Sequence, residues 1–397
     1  MRVTNQGFFK NAVGNIQDLQ RELNAVQEQI ATGRRIQRPS DDPNGASRIL
    51  DYRESLATLE QYQRNTELAR NRLRLSEDTL TQVTSELQRI RELTLQAANA
   101  SQTNETRGFI ATELSESVEA LLGLANTRDA SDQFLFSGFQ SGTQPFSRTP
   151  GGFSYNGDDG QRFIQVSTSR KIPDTNSGDE IFARIREGNG QVLVSPSGAN
   201  TGTGVAVNEV QTRVQGYDFA TFDVVFLDAE NYEVRDSLGA VVSSGTFASG
   251  DSIAAGPARV RIDGQPAAGD MFSVGPAPNR DVFSIVDEIA QALATDSNDA
   301  TTRAELNSAV NRGLEGIDRA LERVLEIRTS IGSRLAAAES QLDTNLGTEL
   351  VLQEALAGVE DLDLAEAASR LAAQASALEA AQQSFIRVQS LSLFNFL

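Results

Sequence analysis

Asp158-Asp159 and Asp361/Asp363 are paired carboxylates, the arrangement that glycoside hydrolysis needs: one acid to protonate the leaving group, one to attack or to activate water. Nothing around them completes such a site. The chain of 397 residues has no His, no Cys and no Trp, and its only lysines are Lys10 and Lys171. Zinc and haem ligation, iron–sulfur clusters, disulfides, thiol nucleophiles and His-based triads are thereby excluded. The first pair lies in Asn156-Gly-Asp-Asp-Gly160, which has the composition of a hairpin tip between strands at 153–155 and 163–166. The second pair reads as acidic surface around Leu362 and Leu364.

Asp174-Thr-Asn-Ser-Gly-Asp-Glu180 resembles a calcium loop in composition, but Gly178 is its fifth residue and Ile185 its twelfth, where an EF-hand needs glycine sixth and glutamate twelfth. A solvated turn is the expectation. Asn99-Ala-Ser101 and Asn104-Glu-Thr106 fit the N-glycosylation triplet, which arises often by chance. The chain therefore reads as a non-enzyme, without catalytic residues, cofactor or metal.

A net charge of −19 repels nucleic acid phosphates and anionic membranes, so neither is an expected partner. Arginines interleaved with the N-terminal helical pattern are matched by acids, which gives a salt-bridged solvent face. The opening MRVTNQGFFKNAVGNIQ has no apolar core and no small-residue cleavage site, and no stretch is long enough to span a bilayer. An extracellular location would thus require a route without a cleaved signal.

The elements are legible from spacing. Ile16, Leu19, Leu23, Val26 and Ile30 step by three and four, as do Leu80, Val83, Leu87 and Ile90 behind Leu73. Val310, Ile317, Val324, Ile331 and Ala338 recur every seven, with Leu314, Leu321, Leu335 and Leu342 beside them and Arg328 interrupting the row. Leu364, Leu371, Leu378 and Phe385 form a fourth seam, flanked by Ala368, Ala375 and Val388. Gly33 ends the first helix, Asp42-Pro43 opens the next, and Leu346-Gly347 is the expected break before the last. Gln133–Gly138 reads as a strand leading into a β insert with further runs at 191–194, 220–227, 240–242 and 258–262.

The expected fold is mainly α with a β-rich insert. Residues 1–42 with 347–397 form a terminal coiled coil, 43–148 with 281–346 a helical bundle, and 149–280 a single compact β-rich domain. Two terminal helices alone cannot cover every apolar stripe. The ending Phe385, Ile386, Val388, Leu391, Leu393, Phe394, Phe396 and Leu397 is apolar on more than one face, which indicates an assembly surface.

Three segments carry a family resemblance. Thr32-Gly-Arg-Arg-Ile-Gln-Arg-Pro-Ser-Asp-Asp-Pro-Asn-Gly-Ala46 is similar to the TGKR-x(3)-PSDDP-x-AA segment of the flagellar hook–filament junction proteins, where flagellin reads closer to SGLRINSAKDDAAG. Gln133–Phe139 resembles their YLFSG segment and Gln389–Leu397 their SLFNYL-type ending. Gly45 departs toward flagellin, where the junction proteins more often have Ala. The resemblance covers about 1–140 and 283–397 and leaves the insert unmatched.

The resemblance implies an adaptor ring between hook and filament, exported unfolded through the flagellar type III apparatus. It also implies four partners: other copies of the chain, a hook-associated protein on the hook side, flagellin on the filament side and an export chaperone. The assembly interface would comprise Ile16, Leu19, Leu23, Val26, Ile30, Leu364, Leu371, Leu378, Phe385, Val388, Leu391, Phe394 and Leu397, and the family's loop Arg34, Pro39, Ser40, Asp41, Asp42 and Pro43. A flagellin filament subunit, or a carbohydrate-binding β domain on a helical stalk, are the alternatives.

Overall fold

The computed structural model describes residues 2–208 and 220–394, with side chains for all of these except 2–6, 8, 208 and 389–394. Six α-helices run over Arg2–Thr32 (α1), Pro43–Ala97 (α2), Asn104–Ala125 (α3), Val282–Ala294 (α4), Ala300–Glu360 (α5) and Leu364–Phe394 (α6). The chain is mainly α, with a β-rich region between α3 and α4. Two compact units result: Met1–Arg64 with Gln341–Leu397, and Asn65–Ser340.

In the larger unit the heptads of α2 and α5 do what their spacing requires. Leu73, Leu80, Val83, Leu87 and Ile90 are at most 1% exposed, and Val310, Ile317, Val324, Ile331 and Ala338 at most 2%. They share one core with Leu114, Val118 and Leu121 of α3 and Phe283, Val286 and Ile289 of α4. Where Arg328 interrupts the α5 row, its guanidinium bonds Glu77 Oε1 at 2.8 and 2.9 Å and Thr84 Oγ1 at 3.4 Å on α2. A charged side chain at a seam position is thus matched across the seam, which fixes helix register.

The insert contains two β regions where one body was expected. Strands Phe146–Thr149 (β1), Gly152–Tyr155 (β2), Phe163–Gln165 (β3), Lys171–Pro173 (β4) and Ile185–Arg186 (β5) lie against the helical core, to which Phe146, Ile172 and Ile185 belong. From Val192–Pro196 (β6) to Met271–Pro276 (β13) a separate core forms. Its first sheet is ordered β10-β9-β8-β13-β6 and its second β11-β12-β7, where β7 to β12 are Val205–Asn208, Phe222–Phe226, Asn231–Arg235, Val241–Thr246, Ser252–Ala255 and Ala258–Asp263. Alternate residues turn inward, Ala258, Val260 and Ile262 on β12 against Phe272 and Val274 on β13. Asn279–Arg280 (β14) then pairs with β5.

Four further sequence expectations are corrected. Helix α5 continues through Leu346-Gly347 to Glu360, and the break falls at Asp361–Asp363. One exposed glycine costs a long, packed helix about 1 kcal/mol, too little to end it. Asn156–Gly160 does not close a hairpin, because β2 pairs back to β1 and β3 pairs with β4. Instead Asp158 Oδ1 accepts the Phe139 and Gly160 amides at 2.8 and 2.7 Å. Gln133–Gly138 forms only isolated bridges, Phe134 to Arg128 and Ser137 to Ser177. Leu135 and Phe136 are consecutive and both buried, which a one-faced strand could not achieve.

The fourth concerns Asp174–Ser177, which is buried rather than a solvated turn. Asp174 takes a bidentate bond from Arg162, which holds that guanidinium's pKa above its usual value. Neighbouring Arg72 is shifted the other way, chiefly by burial, while pairing with Asp129 at 2.6 Å.

The terminal helix pair and its elbow

The smaller unit carries the expected assembly residues. Helices α1 and α6 pack antiparallel: Phe9 meets Phe385 edge to face at 5.8 Å, Gln374 Nε2 reaches Glu22 Oε2 at 3.5 Å, and Leu362 N donates to Gly33 O at 3.0 Å. The α1 seam runs Phe9, Ala12, Ile16, Leu19, Leu23, Val26, Ile30, adding Phe9 and Ala12 on the N-terminal side of the row the pattern marked. Of these only Val26 is buried; the others are half-buried. The α6 seam is Ala367, Leu371, Gln374, Leu378, Ala381 and Phe385.

Leu371, Leu378 and Phe385 therefore sit in the predicted row, but its companions do not. Leu364 is 59% exposed and Val388 is exposed beside Ile386, at 62%. Ala368 and Ala375 also face outward, and the second row is Ala367, Gln374 and Ala381. Small residues and a glutamine carry too weak an apolar signal to choose between the two rows from sequence. Leu397 and the side chains of Leu391 and Phe394 lie outside the described residues.

The loop from Thr32 to Pro43 builds the elbow that joins these helices to α2 and to the end of α5. Gly33 adopts φ +70°, the left-handed position that closes α1 without a Cβ penalty. Arg34 then bridges Asp361, and Arg35 N donates to Glu360 O at 2.7 Å. Arg35 also sends its guanidinium to Val359 O at 3.0 Å. The Glu360 carboxylate, 7% exposed, pairs with Arg34 from the loop and Arg53 from α2, each at 2.7 Å.

The loop's acids act locally. Asp41 Oδ2 accepts the amides of Gln37 and Arg38 at 3.2 and 2.9 Å, and Asp42 Oδ1 caps α2 through Gly45 N at 2.9 Å. Pro43 is the first residue of α2, while Pro39 and Ser40 are exposed at the bend. A methyl on Gly45 would meet Ile36 Cδ1 at 2.4 Å, so the flagellin-like glycine makes room for the buried Ile36.

The paired carboxylates resolve into structural work. Asp363 Oδ1 caps α6 through Ala365 and Glu366 amides at 2.9 and 3.1 Å. Asp159 pairs with Arg184 at 2.5 Å. Glu360, which sequence reasoning missed, is the acid that organises the elbow; only its place next to the unexpected helix break would have marked it. Among the described residues no group of three acids could hold a metal, and no helix is long and apolar enough to cross a membrane.

Comparison with known proteins points one way. Residues 3–141 match the family model of the bacterial flagellin N-terminal helical region. Flagellar hook-associated protein 3 of Escherichia coli K12 is 26% identical over 396 residues, 99% of both chains. A crystal structure of Xanthomonas campestris FlgL superposes with a TM-score of 0.72 at 33% identity, covering 77% of this chain and 99% of that one. Flagellin FlaB1 of Treponema pallidum is also 33% identical, but over 124 residues, 31% of this chain and 41% of its own. A flagellin-type N-terminal region, a match along the whole of a hook-associated protein 3, and a shared structure at this identity together mean that the chain belongs to the FlgL family, the flagellar hook-associated protein 3 family.

Proposed function

We propose that this chain is a structural, non-catalytic adaptor that forms the junction ring between flagellar hook and filament, assembling through α1 and α6. The observation that carries this reading is the incomplete burial of the terminal pair. Apart from Val26 and Ala367 its seam is only half-buried, and Leu364, Ile386 and Val13 remain exposed on a chain of net charge −19. A fully exposed side chain of this kind gains about 1.5–3 kcal/mol on full burial. These, already partly covered, gain a fraction of that each, which summed over the face makes neighbouring copies a source of stability.

On this reading the protein is extracellular and leaves the cell unfolded, without a cleaved signal peptide and with an export chaperone. A hook-associated protein lies on one side of the ring and flagellin on the other. The pair α1 and α6 supplies the axial coiled coil, the helices that share the larger core supply the bundle, and the separate β core from Val192 to Pro276 faces outward. The extent of the hook-associated protein 3 match, 99% of both chains, favours this over a filament subunit.

Immunogold labelling of flagella from cells in which this chain replaces the endogenous copy is the test. A label confined to the hook–filament boundary supports the adaptor. Label along the whole filament supports a flagellin, and intact flagella without label reject both.

A further inference from the structure

The turn between α2 and α3 and the connection between α4 and α5 meet in the larger unit. Asn104 Nδ2 donates to Asn298 Oδ1 at 2.9 Å, and Ser297 Oγ donates back to Asn104 Oδ1 at 3.2 Å. Between them is a cleft of about 550 Å³ lined by Gln102, Asn104, Arg107, Ser297, Arg303 and Asn307 among others, with no acidic side chain in its walls. Two guanidiniums converge there on one buried residue. Arg107 Nη1 donates to Ser297 Oγ at 3.2 Å and its Nε to Ala97 O at 3.3 Å. Arg303 Nε donates to Ser297 O at 3.4 Å and its Nη2 to Asn298 O at 3.2 Å.

Elsewhere in this chain many arginines find carboxylates, Arg89 taking Glu113 and Arg312 taking Glu288, although Arg334 bonds the Asn176 carboxamide instead. Arg107 and Arg303 have none within 4.0 Å among the described residues. The nearest candidate in sequence, Asp299, is committed to Thr302 N at 2.8 Å; that bond is the main reason its carboxyl lies below the usual range, with Arg303 a lesser charged neighbour beyond ion-pair distance. Both guanidiniums are anchored to neutral carbonyls and a hydroxyl, which leaves neither in an ion pair. Among the described residues, Arg107 Nη2 and Arg303 Nη1 carry no protein acceptor, and the Gln102 carboxamide in the same wall has no partner either.

We propose that this cleft is an oxyanion site, in which a phosphate, sulfate or carboxylate group bridges Arg107 and Arg303. The free Nη groups supply charge-assisted bonds, and the planar guanidinium suits two oxygens of one group. The bonds among Asn104, Ser297 and Asn298 hold both walls before any ligand arrives.

Calorimetric titration of the full chain with sodium phosphate and with succinate, each against chloride at matched ionic strength, tests this. Saturable heat with phosphate alone identifies a tetrahedral oxyanion; heat with both identifies a site open to carboxylates. Arg303→Gln should weaken binding about tenfold, Arg303→Lys less, and Arg107→Gln with Arg303→Gln should abolish it. Arg303 is exposed, so the single variants keep the melting temperature of the parent in chloride and remain informative if the double variant does not fold. Heats indistinguishable from chloride in the parent, or binding unchanged in Arg303→Gln, would overturn the proposal.

Discussion

Leu73, Leu80, Leu87 and Ile90 in the larger unit and Ile16, Leu19, Leu23 and Ile30 in the smaller follow closely related three–four spacings. The first set is almost completely buried and the second only half-buried. Pattern sets which face of a helix is apolar; the number of neighbours sets how much of it is covered. In the larger unit, α3, α4 and the strands from Phe146 to Ile185 close over the seam. In the smaller, α6 covers one side of α1 and leaves the remainder open, the state expected, on the proposed function, of helices that complete their packing on assembly.

The contrast is broken most directly by equal truncations in the two seams. Leu80→Ala should cost about 2–5 kcal/mol and lower the monomer's melting temperature by several degrees, because the cavity lies in a closed core. Leu371→Ala should cost the monomer less than about 1 kcal/mol, since the site is partly solvated already. Equal losses in thermal melts followed by circular dichroism would erase the distinction.

The elbow sharpens the comparison. Glu360→Ala removes a buried carboxylate shared by two arginines whose side chains are 56% and 46% exposed. Those arginines rehydrate easily, so the expected cost is about 1–3 kcal/mol rather than that of a fully buried pair. Amide exchange should quicken at Arg35 and Leu362, which bond across the elbow, and stay unchanged in the Leu80 region. Smaller still, Asp363→Ala should cost about 0.5–2 kcal/mol and fray the first turn of α6, seen as faster exchange at Ala365 and Glu366.

Replacing 191–277 by a short Gly/Ser linker should have the smallest effect. The chain enters and leaves that region at one place, with Ala277 N on Gln191 O at 2.9 Å and Glu187 N on Pro278 O at 3.1 Å. The two cores share no buried residue. The helical melting temperature should therefore be unchanged; a large drop would join the two cores into one cooperative body.

Helices were legible because long apolar repeats have one reading, and the caps at Gly33 and Asp42 were legible because each residue has a local mechanism. Strands with strong apolar runs, such as 258–262, were also visible. Short polar ones were not: Asn231–Arg235 is defined by its partners and by the Asp228 turn, whose carboxylate accepts the Glu230 and Asn231 amides at 2.9 Å. Glu360 escaped notice because its meaning is tertiary, set by Arg34 and Arg53 arriving from distant segments. The Arg107–Arg303 cleft was hidden for the same reason, its two arginines lying far apart in sequence. The outer rows of α6 were misassigned because Ala367 and Ala368 differ in packing, not in type.

The most direct measurement is a paired one on a chain lacking residues 378–397: the monomer's melting curve, and its ability to restore filaments on hooks in cells without the native copy. Half-buried Leu378 and Phe385 contribute little to the monomer, so the melt should match that of the intact chain while filaments fail to form. Leu378→Asp should act in the same direction by placing an unpaired charge in the seam. Normal filament growth from either variant, with export confirmed, would contradict assembly through the terminal helices.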